Sequence, residues 1–345
     1  MPKIAYRKQS FRGESLDAIH HADRILCEYA AQGYDLTLRG LYYKFIARDL
    51  FPDDRKWIQR KRDKKWIRDP SGTKNAQPNY KWLGDKVSDA RLAGLISWDH
   101  IIDMTRRLSG LRQYDTPEDA VVSLSSTYHI DMWKNQPYYV EAWVEKDAMV
   151  NVLRPACNIW DVPYCSTRGY TSQSSCHEAA QRLIAAGQLH EDGVVILHLS
   201  DHDPSGIDMA RDLQDRLKMF RCGPIQFRRI ALTFDQVEER SPPPSPAKLT
   251  DPRAAGYIER FGDESWELDA LEPQDIDTLI RDEVMAVVDM DIWNESCEEE
   301  KRGRSTLLQV ANGWPELTEE IDPGAALALV ESYCDPIEDG QDGDS

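Results

Sequence analysis

Val194-Val195-Ile196-Leu197-His198-Leu199-Ser200-Asp201-His202-Asp203-Pro204-Ser205-Gly206 is the stretch on which the reading of this chain turns. Its first six residues form an apolar run, the pattern of a strand covered on both faces, as in a parallel sheet. A polar turn follows at once, and helical spacing takes over across 207–220. Working outward, residues 138–144 read as a strand, 146–157 as a helix, 162–167 as a strand, 173–186 as a helix and 225–232 as a strand. This alternation predicts an α/β domain with a parallel sheet over 138–240.

Open α/β sheets place their chemistry in the crevice beyond the carboxyl ends of the strands. Glu145 ends the first strand, and Asp201 and Asp203 follow the third. If those strands are neighbours, three carboxylates converge, and a hard divalent cation relieves their repulsion. Mg²⁺ suits such a site because it keeps part of its water shell and bridges to phosphate oxygens. Each motif alone has a plainer reading, in which the aspartates cap the following helix and Glu145 begins one. Their joint placement at two strand ends favours the metal site.

Upstream, residues 15–32 carry Leu16, Ile19, Ile25, Leu26 and Tyr29 at helical spacing, with Gly33 as a stop signal. Thr37 caps a second helix over 38–49, and a third is expected near 82–93. Between them lies a basic loop containing Arg55, Lys56, Arg60, Lys61, Arg62, Lys64, Lys65 and Arg68, interleaved with Trp57 and Trp66. Residues 94–102 read as a short β segment or wing. Three short helices, a wing and a basic face predict a winged-helix DNA-binding domain over 1–115. Its phosphate contacts would come from the basic loop together with Lys81 and Lys86.

The formal charge of −18 taken as a whole disfavours a polyanionic partner, but it is unevenly spread. Residues 261–345 hold 25 Asp and Glu against 4 Lys and Arg, whereas residues 1–115 hold 23 basic against 15 acidic. The acidity is C-terminal, so it leaves the basic N-terminal face free to neutralise phosphates. A polar linker is expected over 116–137. The proline-rich segment 241–246 reads as an extended connection opening a mainly helical extension over 241–334, with helical periodicity at 273–290 and 315–333, and 335–345 as a disordered acidic tail.

The seven cysteines include no CxxC pair and are odd in number, which argues against a disulfide framework or a zinc ribbon. Cys176 beside His177 has no third partner in view, and adjacent helical residues face different ways. No apolar run approaches the roughly 18 residues of a membrane span. The first residues lead into no apolar signal core, so no membrane association and a cytoplasmic location are expected.

Glu145 after the first strand, Gly169 after the second, and Asp201-His202-Asp203-Pro204-Ser205-Gly206 after the third resemble the Toprim domain of topoisomerases, primases and some nucleases, over about residues 138–235. The resemblance implies that Glu145, Asp201 and Asp203 bind Mg²⁺ or act on a phosphate, with Lys146, Arg168 and His202 near enough in sequence to assist. Thr37-Leu38-Arg39-Gly40-Leu41-Tyr42-Tyr43 resembles the catalytic segment of topoisomerase VI A subunits and of the meiotic double-strand-break transesterases. Glu267-Leu268-Asp269-Ala270-Leu271 is similar to a segment that follows Toprim in such A subunits.

Helical geometry separates the two tyrosines. At about 100° per residue, Leu38, Leu41, Tyr42 and Phe45 share a stripe, while Arg39 and Tyr43 sit together at its edge. Tyr42 is therefore expected in the core and Tyr43 exposed as the nucleophile, matching the family's position for the attacking tyrosine. The resemblance implies cleavage of double-stranded DNA with a 5′-phosphotyrosyl link, in which Arg39 and Mg²⁺ supply positive charge. It also implies a homodimer in which the tyrosine of one protomer meets the carboxylates of the other. Strand passage would need a separate ATPase subunit, because the chain has no GxxxxGK[ST] loop. Two other readings stand beside this one: a Toprim nuclease using water, with Tyr43 structural, and a non-catalytic DNA-binding or regulatory protein.

Overall fold

In the computed structural model of the chain, the described residues are 3–319 apart from 35, 61, 64, 100, 102–110, 170 and 247–250, together with 322 and 324. Lys61, Lys64, two positions of the expected wing (His100 and Ile102) and the expected tail at 335–345 lie outside them. The chain divides into two compact units, one of residues 1–108 and 132–290, the other of 109–131 and 291–345.

The first unit begins with helix α1 (Glu14–Ala30), which buries Ala18, Ile19, Ala22, Ile25, Leu26 and Tyr29 along one stripe. Helix α2 (Leu38–Ala47) starts where the Thr37 hydroxyl accepts the Gly40 N–H. Strands β1 (Trp57–Gln59) and β2 (Trp66–Arg68) form an antiparallel hairpin, and helix α3 (Gln77–Leu92) closes a helical core with α1 and α2. The hairpin stands where a loop was expected. Its Trp-Ile pairs bring Ile58 opposite Ile67, and the Arg68 guanidinium sits 5.4 Å from the Trp57 ring centroid, so cross-strand contacts hold the ribbon despite its charge. The expected β segment at 94–102 is instead a turn as far as it is described. Gly94 ends α3 at φ +72°, Ile96 is drawn into the core, and only Ile101 bridges, to Leu36.

Helix α4 (Pro117–Thr127) belongs to the second unit. The first unit resumes with β3 (Tyr138–Val144), α5 (Val150–Ile159), β4 (Tyr164–Ser166), α6 (Gln173–Leu189), β5 (Gly193–Leu199), α7 (Pro204–Met219) and β6 (Ile225–Ala231). The four strands form one parallel sheet in the order β4-β3-β5-β6, so the protein is α/β as the alternation predicted. All seven residues of β5 are buried, His198 included, as expected of a central strand covered on both faces. Trp143, Val194 and Ile196 pack on one face against Cys176, Ala180 and Leu183 of α6 and Leu213 and Leu217 of α7.

Helix α8 (Phe234–Arg240), strand β7 (Ser245–Pro246), helix α9 (Ala254–Phe261), strand β8 (Glu264–Ser265) and helix α10 (Pro273–Met285) complete the first unit. Helix α10 buries Ile276, Ile280 and Val284 and packs against α5 and β6. In the second unit, α4 stands inside the stretch expected to be a linker, capped by the Thr116 hydroxyl accepting the Asp119 N–H at 3.1 Å. Helix α11 (Met290–Asn312) and helix α12 (Trp314–Glu319) follow, giving a C-terminal helical region. Among the described residues no helix is long and apolar enough to cross a membrane.

Candidate active site

Parallel pairing aligns the carboxyl ends of the strands. Val144 lies opposite Leu199, and the Glu145 N–H donates to the Leu199 carbonyl at 2.9 Å, so the first-strand glutamate emerges beside the 200–206 turn. The neighbour relation required of these two strands is met. Glu145 Oε2 accepts the Asp201 backbone N–H at 3.2 Å. Burial, followed by the nearby Asp201 charge, pushes the Glu145 carboxyl up to about 7.

Asp201 is buried and held on two sides: Oδ1 accepts the Leu268 N–H at 2.8 Å, and Oδ2 pairs with Lys146 Nζ at 2.8 Å. Burial raises its carboxyl, with Lys146 opposing. Asp203 is the N-cap of α7 and accepts the Gly206 N–H at 2.7 Å. The plainer capping role is therefore real for this residue, and it engages only one of the two carboxylate oxygens in that bond. Gly206 is needed here, because a Cβ would stand 2.4 Å from the Asp201 carbonyl oxygen.

Lys146 is the hub of the site. Its ammonium lies 2.8 Å from Asp201, 2.9 Å from Asp269 and 3.1 Å from Glu267. Burial by itself would lower its pKa, but the surrounding Asp269, Asp201 and Glu267 charges raise it overall. Glu267 in turn accepts from Arg39, through Nε at 2.7 Å and through Nη2. Burial would raise the Glu267 carboxyl, yet the Arg39 hydrogen bond and Lys146 together hold it below its ordinary value. On the sheet side, the Arg229 guanidinium donates to the Ser200 hydroxyl at 3.1 Å and to the Asp201 carbonyl oxygen at 2.8 Å.

Tyr43 differs from expectation. Instead of being exposed at the helix edge, it is 2% accessible and packed in the helical core beside Tyr42. The cause is tertiary: the short 3₁₀ turn Leu268–Ala270 lies against α2 and covers the edge that a lone helix would present to water. Arg39 lies 5.9 Å from the Tyr43 ring centroid. Burial and then the Glu267 charge raise its pKa, with Arg39 opposing. Tyr42 takes the core role expected of it, donating to Asn75 Oδ1 at 2.9 Å and accepting the Ala76 N–H at 2.8 Å.

Of the other residues near the motifs, Arg168 is exposed and pairs with Asp147 at 3.0 Å. His202 points the other way, into a box of Phe234, Tyr257, Phe261 and Trp266, where its Nδ1 is 2.8 Å from the Tyr257 hydroxyl. Burial pushes its pKa down to about 4, so it is a neutral anchor for the turn rather than a phosphate-facing cation.

The basic set divides in the same way. Arg60, Arg62, Lys65, Arg68 and Lys81 are exposed, and Lys56 and Lys86 half-buried. Arg60 pairs with Asp63 and Arg68 with Asp54. Arg55 is buried with its guanidinium 3.8 Å from the Trp82 ring centroid, a packing role that sequence reading missed. The reading also missed Arg229, one of two adjacent arginines within strand β6.

The donor set fits a hard cation. Its oxygens come from carboxylates only, the donor type a hard divalent ion takes, and burial with the neighbouring Asp201 charge raises the Glu145 carboxyl. Glu145, Asp201 and Asp203 are the residues able to hold it. As the side chains stand, no three metal-ligating groups among the described residues converge, because Asp201 is turned to Lys146 and Asp203 to the Gly206 N–H. Comparison of the chain with protein-family models and with curated proteins returns no match.

Proposed function

We propose that this protein cleaves DNA by Mg²⁺-assisted transesterification, with Tyr43 as the nucleophile and the Toprim-like carboxylates Glu145, Asp201 and Asp203 at the metal site. The observation that carries this reading is one continuous polar chain. It runs from Arg39, 5.9 Å from the Tyr43 ring centroid, to Glu267, from Glu267 to Lys146, and from Lys146 to Asp201 at the carboxyl end of the sheet. A tyrosine with only a packing role has no need of that connection. We read the N-terminal helices and their basic hairpin as a winged helix. The four-stranded parallel sheet with its glutamate and aspartate turn is read as Toprim.

In the reaction, the Tyr43 oxygen bonds to a backbone phosphorus as the bond to the 3′ oxygen breaks. The phenol loses its proton and the 3′ oxygen gains one, leaving a 5′-phosphotyrosyl link and a free 3′-hydroxyl. When bound, Mg²⁺ supplies a Lewis acid for a phosphate oxygen. Arg39 lowers the Tyr43 pKa and offers a forked donor to the phosphate. Exposed cations of the hairpin and α3, among them Arg60, Arg62, Lys65 and Lys81, hold the flanking duplex. Double-strand cleavage needs two such sites, hence a homodimer, and strand passage needs an ATPase subunit on another chain.

The burial of Tyr43 favours a second reading, in which water hydrolyses the phosphodiester and Tyr43 is structural. Supercoiled DNA, Mg²⁺ and a denaturing stop separate the two. Transesterification leaves DNA covalently joined to wild-type protein, and the adduct disappears in Tyr43→Phe and in Asp201→Ala. Cleavage that survives Tyr43→Phe but not Glu145→Ala establishes hydrolysis instead. A wild-type protein that leaves the DNA uncut rejects both.

A further inference from the structure

We infer that Arg39 and Lys146 form a phosphodiester subsite which Glu267 fills as an internal anion in the resting protein. The inference rests on the DNA-cleavage reading and adds how that site is kept closed.

Glu267 is held as a substrate phosphate would be. Arg39 meets it with Nε at 2.7 Å and with Nη2, the two-pronged arrangement by which guanidinium grips carboxylate and phosphate alike. Lys146 adds a third donor at 3.1 Å, and the same Arg39 guanidinium lies 5.9 Å from the Tyr43 ring centroid. The position between Arg39, Lys146 and Tyr43 is therefore built for an anion next to the nucleophile. It opens to solvent on the Arg39 side, where that side chain is 44% accessible.

Vacating the position requires only a side-chain rotation. The backbone on either side of Glu267 is fixed independently: Trp266 exchanges N–H···O bonds with His202 at 2.8 and 2.9 Å, and the Leu268 N–H is held by Asp201. Lys146 keeps Asp201 and Asp269 when Glu267 leaves.

Local charge explains why the closed form resists DNA. Arg39, Lys146 and Arg229 face five carboxylates, namely Glu145, Asp201, Asp203, Glu267 and Asp269. Another anion entering this set is repelled. Withdrawing Glu267 and adding a divalent cation to Glu145, Asp201 and Asp203 turns the balance positive, so phosphate entry and metal binding reinforce each other.

The test is equilibrium binding of a fluorescent DNA duplex to the full chain, with Ca²⁺ replacing Mg²⁺ to suppress cleavage. Glu267→Gln keeps the shape and removes the charge; it is expected to tighten binding about tenfold and to steepen the salt dependence by roughly one released counterion. Adding Arg39→Ala abolishes the gain. If Glu267→Gln fails to fold, Glu267→Asp, shorter by one methylene, is expected to give a smaller gain of the same sign. A purely structural Glu267 predicts equal or weaker binding in both variants. That result overturns the inference while leaving wild-type cleavage, and so the proposed function, intact. Failure of every variant to bind DNA at any salt overturns both.

Discussion

Glu145→Gln gives the most direct view of the charge stored in the carboxylate site. In the fold its carboxyl titrates near 7, against an ordinary 4.5. A raised carboxyl binds a proton in the folded state that the unfolded chain has released, so stability falls as pH rises through the window from 4.5 to 7. Taking these two values, the penalty is about 1.4 kcal/mol at pH 5.5 and about 3.4 kcal/mol at pH 8.5, a difference of about 2 kcal/mol. The carboxyl is half-buried, so solvent screening makes that difference a ceiling, and about 1 to 2 kcal/mol is expected. The glutamine variant has no such titration. Urea unfolding in EDTA at pH 5.5 and 8.5, followed by the fluorescence of the buried Trp143 and Trp266, measures it: the variant's advantage over wild type should grow with pH by that amount. Adding Mg²⁺ at pH 8.5 should then raise the wild-type midpoint and leave the variant's nearly unchanged. An advantage that is the same at both pH values refutes the argument that burial and the neighbouring Asp201 charge hold the Glu145 carboxyl above its ordinary range.

Two further outcomes follow from the geometry. Gly206→Ala puts a Cβ 2.4 Å from the Asp201 carbonyl oxygen and 3.2 Å from Glu145 Oε2, so it should cost about 1–3 kcal/mol by overpacking and abolish cleavage. Gly256→Ala meets nothing within 4 Å, and its urea midpoint and cleavage should match wild type. On the hairpin, replacing the exposed Arg62 and Lys65 together by Ala should weaken duplex binding and flatten the plot of affinity against salt by about two counterions, read by anisotropy between about 50 and 200 mM salt. Arg55→Ala should lower the unfolding midpoint without changing that slope, since its guanidinium is spent on Trp82.

What could be read in advance follows from where each signal lives. Strand β5 is covered on both faces, so its run of Val, Ile and Leu is explained by no surface element, and β3 beside it is nearly as apolar. The hairpin escaped because its pairing rests on two Trp-Ile pairs set among eight cations, and a residue count sees the charge before the pairing. Helices α4 and α11 escaped for a related reason. Few of their residues are buried, Ser125 in one and Trp293, Ser296 and Ala311 in the other, so no broad apolar stripe announces either.

The site was half legible, and the missing half is the part that long-range packing builds. Glu145, Asp201 and Asp203 stand at strand ends, where local sequence and sheet register alone bring them together. Glu267 and Asp269 come from a segment more than 60 residues beyond that turn, delivered to Lys146 by the bridge between His202 and Trp266 and the Leu268 N–H bond to Asp201. The same segment reverses the environment of Tyr43. A helical wheel assigns a residue to core or edge relative to its own helix, whereas accessibility depends on whatever else lies over that edge. The element that buries the phenol also carries the carboxylate that raises its pKa and occupies Arg39. The burial of Tyr43 and the charge beside it thus have one origin, a segment that local sequence around α2 does not contain.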